Sequence, residues 1–404
     1  MTAGKRMGES AMSGFSAARM LADREMQAAV TAVRPDADPE EVVARAAWSV
    51  LAEPGDGVAG ALIAVHGAAG ALDAAFAEDT LMAVGDAGSA RTVAEAQARW
   101  RPRADPRAVR YALRGAHEVA ARMLLPGDDK WPIALDDLGA HAPSVLWVRG
   151  DHELLAGQRA VSLVGARAAT GYGEHVAAEL AGDLATTGEL IVSGGAYGID
   201  GAAHRAALGA GGATVAFMAG GVDRAYPAGH QQLFERIRSG GAVVSEVPCG
   251  GAPTKWRFLA RNRLIAAAGA ATVVVEAGWR SGSLNTAGHA ASLGRPLGAV
   301  PGPITSAASA GCHRLLREYD AVCVTTAQEV RELCGDEFDP APASDRPNPE
   351  RTRLLDALST RAGRDAEELA RRSGLSVDRV RAQLGLLELD GVVSRDGHDW
   401  RRVS

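Results

Sequence analysis

The sequence predicts an α/β protein built on a doubly wound parallel sheet, with a small helical region before it and a winged helix-turn-helix after it. Three observations carry that expectation. Between Val161 and Val324, seven short β-branched runs alternate with helix-length segments. The runs are almost continuously apolar, as in strands covered by helices on both faces. Of the 48 glycines, 27 fall between residues 159 and 334, so the need for tight backbone is concentrated in that same stretch. A length of 404 residues suits two or three domains.

Taken in order, residues 1–35 carry weak periodicity and end at Arg34-Pro35, which reads as a tail without assigned structure. Residues 36–125 form the helical accessory domain. Its Ala-rich segments Glu41–Leu51, Gly57–Val65, Ala71–Ala77 and Arg107–Met123 are divided by Gly and Pro. The central domain, 126–334, takes its strands from Val161–Val164, Leu190–Ser193, Thr214–Met218, Ala242–Ser245, Thr272–Val275, Leu297–Val300 and Ala321–Val324. Residues 335–349, acidic and holding four prolines, read as a linker. In 350–404, helices at Thr352–Ser359, Ala366–Arg372 and Val377–Leu389 surround a Ser373–Ser376 turn. Val392–Ser394 and Asp399–Arg401 follow as the strands of a wing. Eleven Arg against ten acidic residues there place protein contact ahead of duplex reading.

Composition narrows the function. A net charge of −6 removes bulk polycationic attraction to nucleic acid, so any such site is local. Cys249, Cys312, Cys323 and Cys334 lack CxxC pairing and clustered His, which argues against a zinc site or a disulfide framework. Neither a metal nor a cofactor is expected. The chain has no uninterrupted apolar run of the ~18 residues that mark a membrane-spanning helix, nor a signal-peptide pattern at its start. The expectation is a cytoplasmic protein without membrane contact.

Doubly wound sheets bind ligands outside the carboxyl ends of their strands, so the loops after the strands are where chemistry is sought. After the first strand, Gly165-Ala166-Arg167 and the following helix start suit a phosphate, although a packing turn explains the glycines equally well. The second strand ends in Ser193-Gly194-Gly195, where backbone or ligand can approach closely. Asp200 and His204 lie one helical turn apart and could be a base pair or a metal half-site; a capping carboxylate and a hydrogen-bonded imidazole are the better reading. After the fourth strand, Lys255 to Arg263 holds four cations and two aromatics, and no acidic residue occurs between Val247 and Val275. Cations for backbone, rings for bases and an Asn for hydrogen bonds fit a single-stranded nucleic acid groove. After the fifth strand, Ser281, Gly282, Ser283 and Thr286 open a helix, to cap it or to hold phosphate.

Read together, Gly165-x-Arg167, Ser193-Gly194-x-Ala196-x-Gly198-Ile199-Asp200 with His204, Tyr226-Pro227, Ser245-Glu246, Phe258-x-x-Arg261-Asn262-Arg263, Glu276 with Ser281-Gly282-Ser283-x-x-Thr286-Ala287, and Pro301-Gly302 resemble the DprA/Smf family of DNA-processing proteins. The resemblance spans about 130 to 330. It implies an extended Rossmann-like domain that forms a homodimer, binds and protects incoming single-stranded DNA during natural transformation, and helps load RecA recombinase, with no enzymatic step. It also implies a phosphate-binding Arg at Arg167, a groove Lys at Lys255 and a base-contacting ring at Phe258. The expected DNA-binding set is Arg167, Gly194, Gly195, Lys255, Phe258, Arg261, Asn262, Arg263, Ser281, Gly282, Ser283 and Thr286.

Three departures stand out: Leu259 follows Phe258 where the family usually has Pro, Gly195 stands where many members have a larger residue, and Tyr197 stands where the family often has Arg. The rival reading is a Rossmann-like hydrolase of nucleoside monophosphate glycosidic bonds. Its PGGxGTxxE signature is not matched here, and no Glu follows the Ser281–Thr286 segment at the required distance. A dinucleotide-dependent oxidoreductase fits less well, because the first loop lacks GxGxxG.

Overall fold

The computed structural model describes residues 15–77, 90–336, 349–389, 391–397 and 399–403. Residues up to Asp336 form one compact unit and those from Glu337 a second.

The first unit opens with helices α1 (Ala17–Leu21), α2 (Arg24–Val33), α3 (Pro39–Leu51), α4 (Gly57–Phe76), α5 (Ala90–Trp100) and α6 (Pro106–Glu118). Aspartates start four of them: Asp23, Asp38, Asp56 and Asp105 each accept a first-turn N–H, and Pro39 and Pro106 sit at the head of α3 and α6. Residues 15–33, expected as part of a tail, are instead core. Met26, Ala29, Val30 and Val33 follow a helical repeat and are buried with Phe15 and Met20.

The helical region is also not a separate body. Trp48, Leu51 and Leu113 share a core with Ala216, Met218 and Val243 of the sheet. Helix α4 is long and apolar enough, by length and composition, to cross a membrane. It nevertheless breaks at Gly67 (φ 71°), and Leu62, Ala68 and Leu72 are fully buried in that shared core.

The expected helix 107–123 ends at Glu118, and Ala120 turns the chain with a left-handed φ of 54°. Two strands absent from the sequence reading follow, β1 (Arg122–Leu124) and β2 (Leu146–Gly150). All seven expected strands are present. In order come β3 (Ala160–Val164), α7 (Gly171–Thr186), β4 (Leu190–Ser193), α8 (Ile199–Gly209), β5 (Thr214–Phe217), α9 (Gln231–Gly240) and β6 (Gly241–Ser245). Then follow α10 (Lys255–Ala268), β7 (Ala271–Val274), α11 (Ser283–Ser292), β8 (Leu297–Ala299), α12 (Ala310–Glu318), β9 (Val322–Cys323) and α13 (Ala327–Leu333).

The sheet order is β1-β2-β6-β5-β4-β3-β7-β8-β9. Strands β3 to β9 pair in parallel, while β2 runs antiparallel to β6 and β1 antiparallel to β2. Successive side chains serve opposite faces. Val161, Leu163, Ile191 and Val273 pack with α7, α8 and α13, whereas Val164, Val192, Val274 and Phe217 pack with α10, α11 and α12. The strand order reverses between β3 and β7, which makes their carboxyl ends the topological switch point.

The second unit contains α14 (Pro349–Ala357), α15 (Ala366–Ser373), α16 (Val377–Leu389) and the hairpin β10 (Val393–Asp396) with β11 (Asp399–Arg402). This is the expected winged helix, with Gly374 in the left-handed conformation at the turn between α15 and α16. Leu354, Leu369, Val380, Leu384 and Leu387 form its own core. Of the expected linker 335–349, residues 337–348 lie outside the described residues.

Candidate nucleic-acid interface

At the switch point the β3–α7 loop is stitched to the end of β7. The Ala166 N–H donates to the Glu276 carbonyl (2.7 Å), and the buried Glu276 carboxylate accepts the Thr170 N–H (2.8 Å) and hydroxyl (2.7 Å). Thr170 in turn caps α7. The loop backbone is thereby fixed while the exposed Arg167 side chain stays available, its guanidinium 4.8 Å from the centre of the Phe258 ring.

Gly194 and Gly195 do different work from the phosphate contact expected of them. A side chain on Gly194 would collide with the Arg261 guanidinium. One on Gly195, held at φ 67°, would strike the Phe234 ring. The Gly194 N–H already donates to the Asp200 carboxylate (3.1 Å), so that amide is committed inside the protein.

Asp200 and His204 are both buried and do not bond one another. Asp200 also receives the Ala196 N–H (3.4 Å). Burial pushes its carboxyl group upward against the pull of the Arg261 charge and those amides. His204 Nδ1 lies 2.7 Å from Thr214 Oγ1, whose hydroxyl donates onward to the Ile191 carbonyl. The imidazole must therefore donate through Nδ1, which leaves Nε2 unprotonated and without a partner in the interior. Burial holds its pKa down at about 3. The pair is structural, and no cluster of three His, Cys, Asp or Glu suited to a metal occurs among the described residues.

The four cations of the 255–263 segment divide sharply. Lys255 is exposed in the first turn of α10, beside the exposed Trp256. Arg257 pairs with Glu53 (2.9 Å), and Arg263 forms a buried pair with Glu246 (2.7 Å). Arg261 is buried and donates to the carbonyls of Gly194 (2.8 Å) and Phe217. Burial lowers its pKa to about 10, with Asp200 opposing that fall. The absence of local acids was thus misleading for Arg257 and Arg263, because their carboxylates come from distant segments. Asn262 donates to Asn285 (3.2 Å) and the Gly282 carbonyl (3.4 Å), joining α10 to the start of α11.

The Ser281 and Ser283 hydroxyls bond each other (2.8 Å), and the N-cap residue Gly282 supplies no side-chain cap. The Ser283 N–H donates to Ser281 Oγ (3.4 Å), and the Leu284 and Asn285 N–H groups donate to the Ser281 (3.2 Å) and Gly282 (3.1 Å) carbonyls, so the first turn of α11 presents its two hydroxyls and the favourable end of the helix dipole. A cleft of about 510 Å³ lies between this turn, the Arg167 loop and α10. Arg167, Phe258, Arg261, Asn262, Ser281, Gly282, Ser283 and Thr286 all line it; Gly194, Gly195, Lys255 and Arg263 do not. Arg280 and Leu259, outside the expected set, line it as well. Arg280 sits in the same Gly-rich loop as Ser281, which was the available signal for it.

The family model described as DNA recombination-mediator protein A matches residues 122–335, and the one described as the DprA winged helix domain matches 338–397. The chain belongs to the DNA recombination-mediator protein A family. A Mycobacterium tuberculosis DNA processing protein DprA is 48% identical over 299 residues, covering 69% of this chain and 76% of that protein. The Streptococcus pneumoniae DNA processing protein DprA is 41% identical over 207 residues, covering 50% of this chain and 71% of the relative. A solved structure of the Streptococcus pneumoniae protein superposes with a TM-score of 0.59 at 30% identity, covering 74% of this chain and 98% of that one. Family membership accounts for the ordered motifs along the rim of the sheet and for the winged helix that follows.

Proposed function

We propose that this chain binds single-stranded DNA in the switch-point cleft, protects it as it enters the cell, and helps load RecA recombinase during natural transformation and recombination. The protein acts as a cytoplasmic homodimer in this reading. Phosphates are held by Arg167 and by the first turn of α11, from Ser281 to Thr286. Phe258 stacks a base, Asn262 orders the wall, and Lys255 attracts the strand from the rim. Arg261 acts from beneath, fixing the floor through the carbonyls it bonds.

The observation that carries the reading is the juxtaposition of the hydroxyl-bearing start of α11 with a cation stacked on an aromatic ring across one cleft. Anionic backbone and flat bases are the ligand those two features share. The role is binding without catalysis: the carboxylates nearest the strand ends, Glu276 and Asp200, are buried and bonded to Thr170 and to the Gly194 and Ala196 amides. A salt titration of single- and double-stranded DNA binding by the full chain tests this. Single strands are expected to bind more tightly at every salt concentration, and a preference for duplex would overturn the assignment. Release of free base from nucleoside monophosphates would overturn the non-catalytic part.

A further inference from the structure

The switch-point cleft does not end at Phe258. The Phe258 ring centre lies 5.4 Å from that of Tyr226, and Tyr226, 45% exposed, forms a wall of a second cleft of about 430 Å³. This cleft is bounded by the β5–α9 loop, α9 and strand β2. Arg149, Arg224 and Arg238 line it together with Asp223 and Glu235. Arg238 is paired with Glu235 (2.9 Å). Arg224 is exposed and makes no ion pair among the described residues. Arg149 reaches only the Val222 carbonyl, at 3.4 Å, and its Nε is buried without a partner.

A buried guanidinium nitrogen lacking an acceptor carries a desolvation cost that an anionic oxygen would relieve. The wall that would receive such an anion is already formed. Asp223 accepts the Gly250 N–H (3.1 Å), and the Gly221 N–H donates to Gly251 (2.9 Å), so the loop is fastened to the segment after β6. Arg167, Phe258 and Tyr226 form a continuous row from the first cleft to the second.

We infer that the second cleft is a phosphodiester subsite for the continuation of the strand seated at the switch point; this rests on the single-strand reading above. Arg149 and Arg224 neutralise backbone phosphates there, and the exposed face of Tyr226 stacks the base between the two clefts. A free nucleotide offers the same phosphate chemistry, so the length of the ligand distinguishes the sources.

The test uses the full chain with oligothymidylates of about 4 and about 12 nucleotides, chosen within the ~4–16 nucleotide site sizes of single-strand-binding folds. Arg224→Gln and Arg149→Gln should each reduce the salt slope of the longer oligomer by about 0.7, one phosphate contact, and leave the shorter one unchanged. Arg149→Lys should restore the slope, which separates charge from packing. Arg167→Ala should weaken both lengths. Wild-type slopes for Arg224→Gln and Arg149→Gln, with Arg167→Ala still weakening both lengths, would refute the subsite and leave the switch-point site standing. Equal losses at both lengths in Arg224→Gln would refute continuity of the strand. No effect of Arg167→Ala at either length would refute the switch-point reading itself.

Discussion

Arg261 and Lys255 are six positions apart on one helix and have opposite fates. Arg261 is sealed beneath the cleft on the carbonyls of Gly194 and Phe217, while Lys255 extends into solvent. Arg261→Met should therefore cost about 3–5 kcal/mol in denaturant unfolding, since it strands Asp200 and two carbonyls in the interior. Lys255→Gln should stay within about 0.5 kcal/mol of the parent and act on affinity alone. A second residue-scale consequence follows from His204. Its imidazole takes a proton near 6.5 when unfolded but only near 3 when folded, so unfolding binds a proton throughout that interval. The stability it confers is complete above about pH 6.5 and is lost as pH falls toward 3, with a slope of about 1.4 kcal/mol per pH unit. His204→Gln should flatten that part of the acid unfolding profile, and an unchanged slope would show that other groups carry it. Sequence placed Asp200 and His204 one turn apart and favoured a capping carboxylate and a hydrogen-bonded imidazole over a base pair; the fold supplies the partners, the Gly194 and Ala196 amides for one and Thr214 for the other.

At the scale of elements, helix α10 is pinned by ion pairs to two segments remote from it. Glu53, in the α3–α4 loop, accepts from both Arg257 and Arg103, whose charges hold its carboxyl below the usual range despite burial. Glu246, at the end of β6, meets Arg263 in a pair that is almost fully buried. Removing one member, as in Glu246→Gln, should destabilise by about 3–5 kcal/mol, whereas replacing both by apolar residues of similar size should recover most of that loss. A double-mutant cycle on Glu246 and Arg263 measures it, and additive losses would show that the pair is not coupled. These pairings explain why the segment looked wholly uncompensated from sequence: its acids lie 17 and 204 residues away. The seven parallel strands were legible because each is a short, mostly apolar run set between helix-length segments. Strand β1 was not, because Arg122–Leu124 continues the apolar pattern of α6 and only the left-handed Ala120 divides them.

For the whole molecule, the shared core changes which fragments make sense. Cutting at residue 130 would expose Met218, Val222, Leu233 and Phe234, which are buried against the helical region. A 130–335 fragment is therefore expected to aggregate or unfold well below the parent, while 337–404, with its own core, should melt cooperatively. Calorimetry of both fragments checks this, and a cooperative, parent-like transition for 130–335 would contradict it. The net charge of −6 conceals the local arrangement on which the proposed binding rests, an exposed Arg167 lining the cleft and an exposed Lys255 in the first turn of α10. The central claim is that this cleft holds phosphates of a single strand, and the most direct measurement is the salt dependence of single-strand binding by Arg167→Ala combined with Lys255→Ala. Two lost contacts should lower the slope by about 1.4 and weaken binding at about 0.15 M salt. An unchanged slope and affinity would contradict the claim.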